Sequence, residues 1–274
     1  MTSGLFKDAD APAALPLGVL PARRRNFLAK YGWPVALPVG VAIVVVAAWQ
    51  IYVATVNASL VPTPVTVAEG FWSAATTSGD WSATGRSWLS LAMGFGIAAV
   101  GGGILGLLLG WNRALDRSIG VYVDIALVMP EIVLMPIILI ALGVTMRAEV
   151  AVIVLFSAPY VIMPIRNGIR SLPREWLDLY KSLCATRPQV WRHLLLPASR
   201  EMIGTGLRIG LGHALTGLLI VELTLVALGI GNVVIGYQSA YDFGSMFGYI
   251  LLVMCQVFLL MGLISLIEAR SRYS

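Results

Sequence analysis

Residues Ser171–Ala198, SLPREWLDLYKSLCATRPQVWRHLLLPA, separate two long apolar stretches and are too polar to lie in lipid. They carry the pattern of two short helices. Pro173 suits a first helical turn, where a missing N–H has no partner to lose. Trp176, Leu177, Tyr180 and Leu183 then lie one, four and seven residues apart, which is one helical face. Arg174, Glu175, Asp178 and Lys181 point elsewhere. Cys184-Ala185-Thr186 interrupts the pattern, and Pro188 restarts it with Val190, Trp191, Leu194 and Leu195 as a second apolar stripe. Pro197 ends it. Two amphipathic helices between membrane spans predict a docking surface for another protein. The competing reading is a loop that lies on the lipid headgroups.

The rest of the chain has the composition of a polytopic membrane protein. Of 274 residues, 58% are hydrophobic and 12% charged, with a mean hydropathy of +0.84. A soluble domain carries about 25% charged residues. The formal charge of +5 is therefore a topology signal, and no nucleic-acid partner is expected. Cys184 falls in the loop and Cys255 in an apolar span, which excludes a disulfide framework. Two histidines far apart in the chain predict no metal site.

Six spans are predicted, at about 33–56, 87–110, 119–143, 150–165, 202–228 and 246–267. About 20 residues cross the hydrocarbon. Residues 1–32 read as a flexible cytoplasmic tail, with a short amphipathic surface helix as the alternative, and the first span reads as an uncleaved anchor. Residues 57–85 are expected outside as a loop, Arg147 and Glu149 in a tight outer turn, and 232–245 as an outer polar and aromatic segment. With both termini cytoplasmic, Arg86 and Arg147 are the only cations left outside, in accord with the positive-inside rule.

Gly102, Gly106 and Gly110 lie four apart and predict a smooth stripe for close helix packing. No Gly-Lys pair occurs, so no phosphate loop and no ATP site of this type is expected on the chain. Pro159 and Pro164 should kink the fourth span, and Arg166 should snorkel to the inner surface. No G-x-S-x-G elbow or H-E-x-x-H helix is present, and the chain reads as no enzyme.

Charged groups at a helix centre cost roughly 2.5–3.5 kcal/mol on insertion scales. Glu131 in the third span and Glu222 in the fifth therefore need a reason. Either they hold helices together, protonated or paired, or they line a polar path. Asp124 lies nearer the inner surface and has headgroups in reach. His213 and Glu222 are nine residues apart, half a turn out of phase, so His213 reads as a hydrogen-bonded packing residue.

The loop resembles the cytoplasmic signature of bacterial ABC-importer permeases, E-A-A, three residues, G, nine residues, I-x-L-P. The same spacing here gives Asp178-Leu179-Tyr180, then Cys184, then Leu194-Leu195-Leu196-Pro197. The nearest subgroup imports sulfonates, taurine, nitrate and related small solutes, and the likeness runs from about Val61, where Val61-Pro62-Thr63-Pro64 resembles a Leu-Pro-Ser-Pro opening, to Arg270. The departures are Asp for Glu, Leu-Tyr for Ala-Ala and Cys for Gly. If that turn needs a positive φ, Cys184 is strained where glycine would not be.

The resemblance implies an all-α membrane protein of the type I ABC importer permease kind. It would have six transmembrane helices, a permease domain over 33–274 and a cytoplasmic coupling loop over 167–200, in a bacterial inner membrane. It further implies a second permease copy (a homodimer), two ATP-binding subunits that hold the ATP and Mg, and a periplasmic or lipoprotein solute-binding protein, with lipid around the whole. No cofactor is expected on this chain. The implied ATPase-docking residues are Glu175, Trp176, Asp178, Leu179, Tyr180, Leu183, Cys184, Ala185, Thr186 and Arg187. The expected translocation-path residues are Glu131, Tyr160 and Glu222; related permeases often carry Glu at the position of Glu222 and commonly Pro where this chain has Glu131. Two alternatives remain at this point: an ATP-independent channel or secondary transporter, and a lipid-handling ABC permease. No half-to-half repeat of the kind that marks secondary transporters is visible.

Overall fold

The computed structural model describes residues 33–56, 61–224 and 228–272, and among these every regular element is helical. The expected tail, 1–32, lies outside the described residues. Helix α1, Trp33–Val56, is uncharged over 24 residues, with apolar side chains exposed on all sides, such as Leu37, Val44 and Ile51. A helix that is apolar all round is matched to lipid. Up to Tyr52 it belongs to a unit distinct from the remaining chain.

The second unit is built on three long helices, α3 (Ser78–Trp111), α6 (Met146–Arg170) and α9 (Arg200–Thr224). In lipid, apolar side chains gain nothing by leaving the solvent, so helices hold together by close contact. The α3 stripe supplies it. Gly94, Ala98, Gly102, Gly106 and Gly110 are all buried, four residues apart. Opposite them α6 presents Ile153, Val161, Ile165 and Ile169, which also repeat in steps of four and eight. A Cβ added at Gly106 would sit 2.9 Å from the Ile162 carbonyl oxygen, and one at Gly102 would sit 3.3 Å from Val161 Cβ. On its other side α6 meets α9, where Gly206 faces the Val161 carbonyl and Gly217 faces the Phe156 ring. α6 is thus clamped between two glycine-bearing helices.

Several expectations need correction. The outer stretch 57–85 is not a loop: α2, Pro64–Thr76, occupies much of it. Thr63 caps α2, accepting from the Thr66 N–H at 3.2 Å, and Pro64 sits in the first turn. The second span begins at Ser78 rather than near 87, so α3 is 34 residues long. At 1.5 Å per residue that is about 51 Å, well beyond the hydrocarbon thickness of roughly 30 Å, and the surplus is polar.

The third span is broken. α4, Arg113–Val128, and α5, Glu131–Leu142, meet at 101° across Met129-Pro130. Pro130 lacks the N–H that would continue the ladder. Among the described residues five helices are long and apolar enough to cross a membrane, or six spans if the bent pair counts as one. The fourth span is longer than read, 25 residues, and Pro159 and Pro164 lie inside one unbroken helix. Residues 232–245 hold most of α10, Gly229–Ser239, and the start of α11, Phe243–Arg272. α2 rests on α11 backbone to backbone, with Gly70 against Gly244 and Gly248 against Phe71.

The glycine stripe predicts a sharp contrast. Gly106→Leu should destabilise the purified protein by about 1–3 kcal/mol, the usual cost of overpacking. Gly103→Leu, where nothing lies within 4 Å of the added carbon, should change stability by no more than about 0.5 kcal/mol. Thermal unfolding in detergent reads both; equal melting temperatures would refute the interlock.

Candidate functional site

The polar loop after α6 folds as two short helices. α7 covers Arg174–Ser182, with Pro173 just before it. α8 covers 187–198, an α-helical turn at Arg187–Val190, a π-helical turn at Trp191–Leu195 and a last turn at Leu196–Ala198. Between them the chain reverses at Cys184. The Ala185 N–H donates to the Tyr180 carbonyl at 3.0 Å and the Cys184 N–H to the Lys181 carbonyl at 2.9 Å. This pair of bonds is the Schellman closure, which needs a left-handed residue between helix and exit. Cys184 holds that place, with φ 51°. The position where the family pattern has Gly does require positive φ, and cysteine adopts it here.

The next helix starts three residues on. The Gln189 side chain reaches back, its Oε1 accepting from the Thr186 N–H at 2.7 Å and from the Thr186 hydroxyl at 2.8 Å. Thr-Arg-Pro-Gln at 186–189 spells this capping box in the sequence, a signal the reading above passed over.

The predicted apolar face divides in two. Leu177 and Tyr180 are half-buried, and the Tyr180 hydroxyl donates to the His193 carbonyl at 3.3 Å, tying α7 to α8. Leu194 and Leu195 are buried and anchor α8. Trp176, Leu179 and Leu183 face outward, 47%, 57% and 69% exposed. Those three are spaced i, i+3, i+7 and form a continuous apolar strip with nothing over it. Glu175, Thr186 and Arg187 are exposed beside it, as is Cys184, while Ala185 is half-buried. Asp178 is exposed and accepts from Lys181 Nζ at 2.8 Å.

An ion-pair cluster lies at the inner end of α6. Arg166 does not snorkel: its side chain is 11% exposed, with Nε 2.5 Å from Asp116 and Nη1 2.6 Å from Asp124. Arg170 takes the other oxygen of Asp116. Asp124 is therefore paired to Arg166, not merely left to the headgroups. Two acids and two arginines pin the start of α4 to α6.

The intramembrane acids fall into two places. Glu131 follows the Pro130 break, half-buried, with Oε1 enclosed and making no hydrogen bond. The Tyr160 ring stacks on His213 of α9, centroids 3.3 Å apart and planes within 9°. His213 is thus held by a ring stack, where a hydrogen-bonded packing role was expected. Tyr160 and His213 come together; Glu222 makes its contacts elsewhere, with Ser87 and Gly231.

Glu222 is fully buried at the outer end of α9. It accepts from the Ser87 hydroxyl at 2.6 Å and from the Gly231 N–H at 3.0 Å, and Ser87 accepts in turn from the Ile230 N–H at 2.9 Å. Gly229, with φ 54°, makes room for Ser87 and Glu222 together. Three more polar contacts line the same face of α3. Ser90 donates to Glu149 at 2.6 Å, Thr84 and Tyr249 share a hydroxyl contact at 2.7 Å, and Tyr237 donates to Asp80 at 2.9 Å. Burial and the Asp80 carboxylate push the Tyr237 hydroxyl up to about 12, so it remains a donor at physiological pH. Glu149, assigned from sequence to a tight outer turn, is instead fully buried.

Residues 102–273 match the family described as binding-protein-dependent transport system inner membrane component. That is more than half of the chain. The chain belongs to this family. The permease is 27% identical over 229 residues to the nitrate import permease protein NrtB of Synechocystis sp., covering 80% of this chain and 83% of that protein. It is 24% identical over 247 residues to the putative aliphatic sulfonates transport permease protein SsuC of Bacillus subtilis, covering 89% of each. Among solved structures, inward-facing MetNI methionine ABC transporter aligns at 23% identity and a TM-score of 0.49, over 70% of this chain and 92% of that one. The family match and these relatives bear out the resemblance of the chain to ABC-importer permeases, and the protein is a multi-pass transport permease.

The left-handed cysteine gives a prediction. A non-glycine residue there costs roughly 1–2 kcal/mol, and glycine loses roughly 0.5–1 kcal/mol in chain entropy. Cys184→Gly should therefore be stabilising, by up to about 1 kcal/mol, and Cys184→Val destabilising. Protease resistance of the loop in the purified permease gives the order; a valine variant more resistant than the glycine variant would contradict the Schellman assignment.

Proposed function

We propose that this permease works as one half of a pair of identical copies in a bacterial inner membrane, both termini cytoplasmic. Two ATP-binding subunits below would hold the ATP and Mg, and a periplasmic or lipoprotein binding protein would deliver the solute above. The membrane domain is 33–274, and its coupling loop, 167–200, is the foot that meets the ATP-binding subunit. The observation that carries this reading is the exposed apolar strip of Trp176, Leu179 and Leu183 on a helix whose other side is tied to α8 through Tyr180. Apolar side chains held rigidly in water suit a partner's groove, the helix-in-groove mode read as i, i+3 and i+7 anchors. Glu175, Asp178 and Arg187 set the polar rim, and the Tyr180–Arg187 turn fixes the angle of approach.

Within the membrane, Glu131 and Tyr160 line the translocation path, with His213 stacked behind Tyr160. Glu222, closed in by Ser87 and Gly231, serves the path by holding α10 at its outer mouth. The relatives named for nitrate and aliphatic sulfonates make a small anion the first substrate class to test.

Replacing Leu179 and Leu183 by Arg should weaken recovery of the ATP-binding subunit with the permease about thirtyfold, the loss of one interface hot spot. Membrane insertion should be unchanged, because both side chains are already exposed. Full recovery of the ATP-binding subunit would end the docking assignment. For the path, Glu131→Gln should alter the solute uptake rate at unaltered assembly; wild-type uptake would remove Glu131 from it.

A further inference from the structure

A cavity of about 480 Å³ opens at the inner end of the helices, where α3, α4, α6, α7 and α8 converge. Its wall has two chemistries. Arg113, Arg117 and Arg170 supply the charge, while Trp111, Ile169 and Leu177 supply an apolar side. Asp116 is the one acid in the wall, and it is already spent. Its two oxygens go to Arg166 and Arg170, and Arg166 also takes Asp124. Those four groups sum to zero. Arg113 and Arg117 remain, both exposed, and neither makes an ion pair among the described residues. The cavity therefore carries about two uncompensated positive charges beside an apolar surface.

We propose that this cavity binds the phosphate headgroup of an anionic phospholipid, with an acyl chain against Trp111 and Ile169. Guanidinium groups match phosphate oxygens in two-point contacts. Basic pockets between membrane helices on the cytoplasmic side are where anionic headgroups lodge. Trp111, the last residue of α3, has the amphipathic ring found at the headgroup level. A free phosphate would satisfy the arginines but leave the apolar wall uncovered, so the source of the phosphate is the membrane. Leu177 of α7 is part of the wall. A lipid seated there touches the coupling loop itself, and lipid composition would bias how the foot is held.

The test uses the full-length permease in detergent, with native mass spectrometry after titration with phosphatidylglycerol or phosphatidylcholine of matched chains. Wild type should retain phosphatidylglycerol in clear preference to phosphatidylcholine. Arg113→Gln with Arg117→Gln should weaken the phosphatidylglycerol affinity roughly thirtyfold, about fivefold for each charge removed. Arg113→Lys with Arg117→Lys should keep most of it, which separates lost charge from lost fold. Arg187→Gln with Arg192→Gln removes two loop cations that do not line the cavity and should have little effect. An equal loss in that pair would show general surface attraction and overturn the proposal. So would equal retention of the two lipids, or displacement of phosphatidylglycerol by millimolar inorganic phosphate, which would mark a soluble-anion site.

Discussion

The architecture depends on how closely α3 and α6 approach. Lipid tails are as apolar as leucine, so burial against them does not favour one helix pairing over another. Contact distance does. The glycines of α3 bring its backbone to the carbonyls and branched side chains of α6, and the glycines of α9 do the same from the other side. α6 has no freedom to slide without lifting an isoleucine or valine out of its notch. It also carries functional groups at three levels: Glu149 at the outer end, Tyr160 in the middle, and Arg166 and Arg170 at the inner end. Fixing α6 fixes the relative heights of all of them.

Given that frame, the polar groups sort by what each end can satisfy. The inner end closes on itself as a neutral set of two acids and two arginines. At the opposite ends of these helices the acids make no ion pair among the described residues. Asp80, Glu149 and Glu222 are met there by hydroxyls and by the first N–H groups of α10. This explains why α3 extends so far beyond a membrane's thickness: its outer turns are the polar post to which α10 and the tyrosine of α11 are bonded. Glu131 and Glu149 each keep one enclosed oxygen without a hydrogen bond; Glu149 holds Ser90 with the other, and Glu131 sits directly after the Pro130 break.

The long-period features were legible in the sequence, and the short-range breaks were not. Gly102, Gly106 and Gly110 revealed the interlock because a four-residue repeat survives without knowing the partner. The two-helix loop was legible because its polarity contrasts with its surroundings and its spacing matches a family pattern. The bend at Met129-Pro130 was lost because one proline in a long apolar run leaves hydropathy unchanged. α2 and α10 escape a hydropathy reading because short helices lying outside the hydrocarbon need no continuous apolar run. Thr63-Pro64 was nevertheless a start signal in plain view. Glu149, Arg166 and Asp124 were misplaced for a common reason: the groups that satisfy them come from sequence positions 42 to 59 residues away, and no local pattern records such a pairing.

The loop turns these facts into a mechanical argument. A foot transmits force only if its own joints are stiffer than the motion it drives. Each joint here is closed by hydrogen bonds or packing. The Schellman turn at Cys184 closes the exit of α7, Thr186 and Gln189 close the entry of α8, Tyr180 bridges the two, and Leu194 and Leu195 seat α8. Trp191 of α8 lies against Trp111, the inner tip of α3, with ring centroids 5.9 Å apart. The exposed strip of α7 is therefore joined through α8 to the Trp111 end of α3, and from there by the glycine interlock to α6.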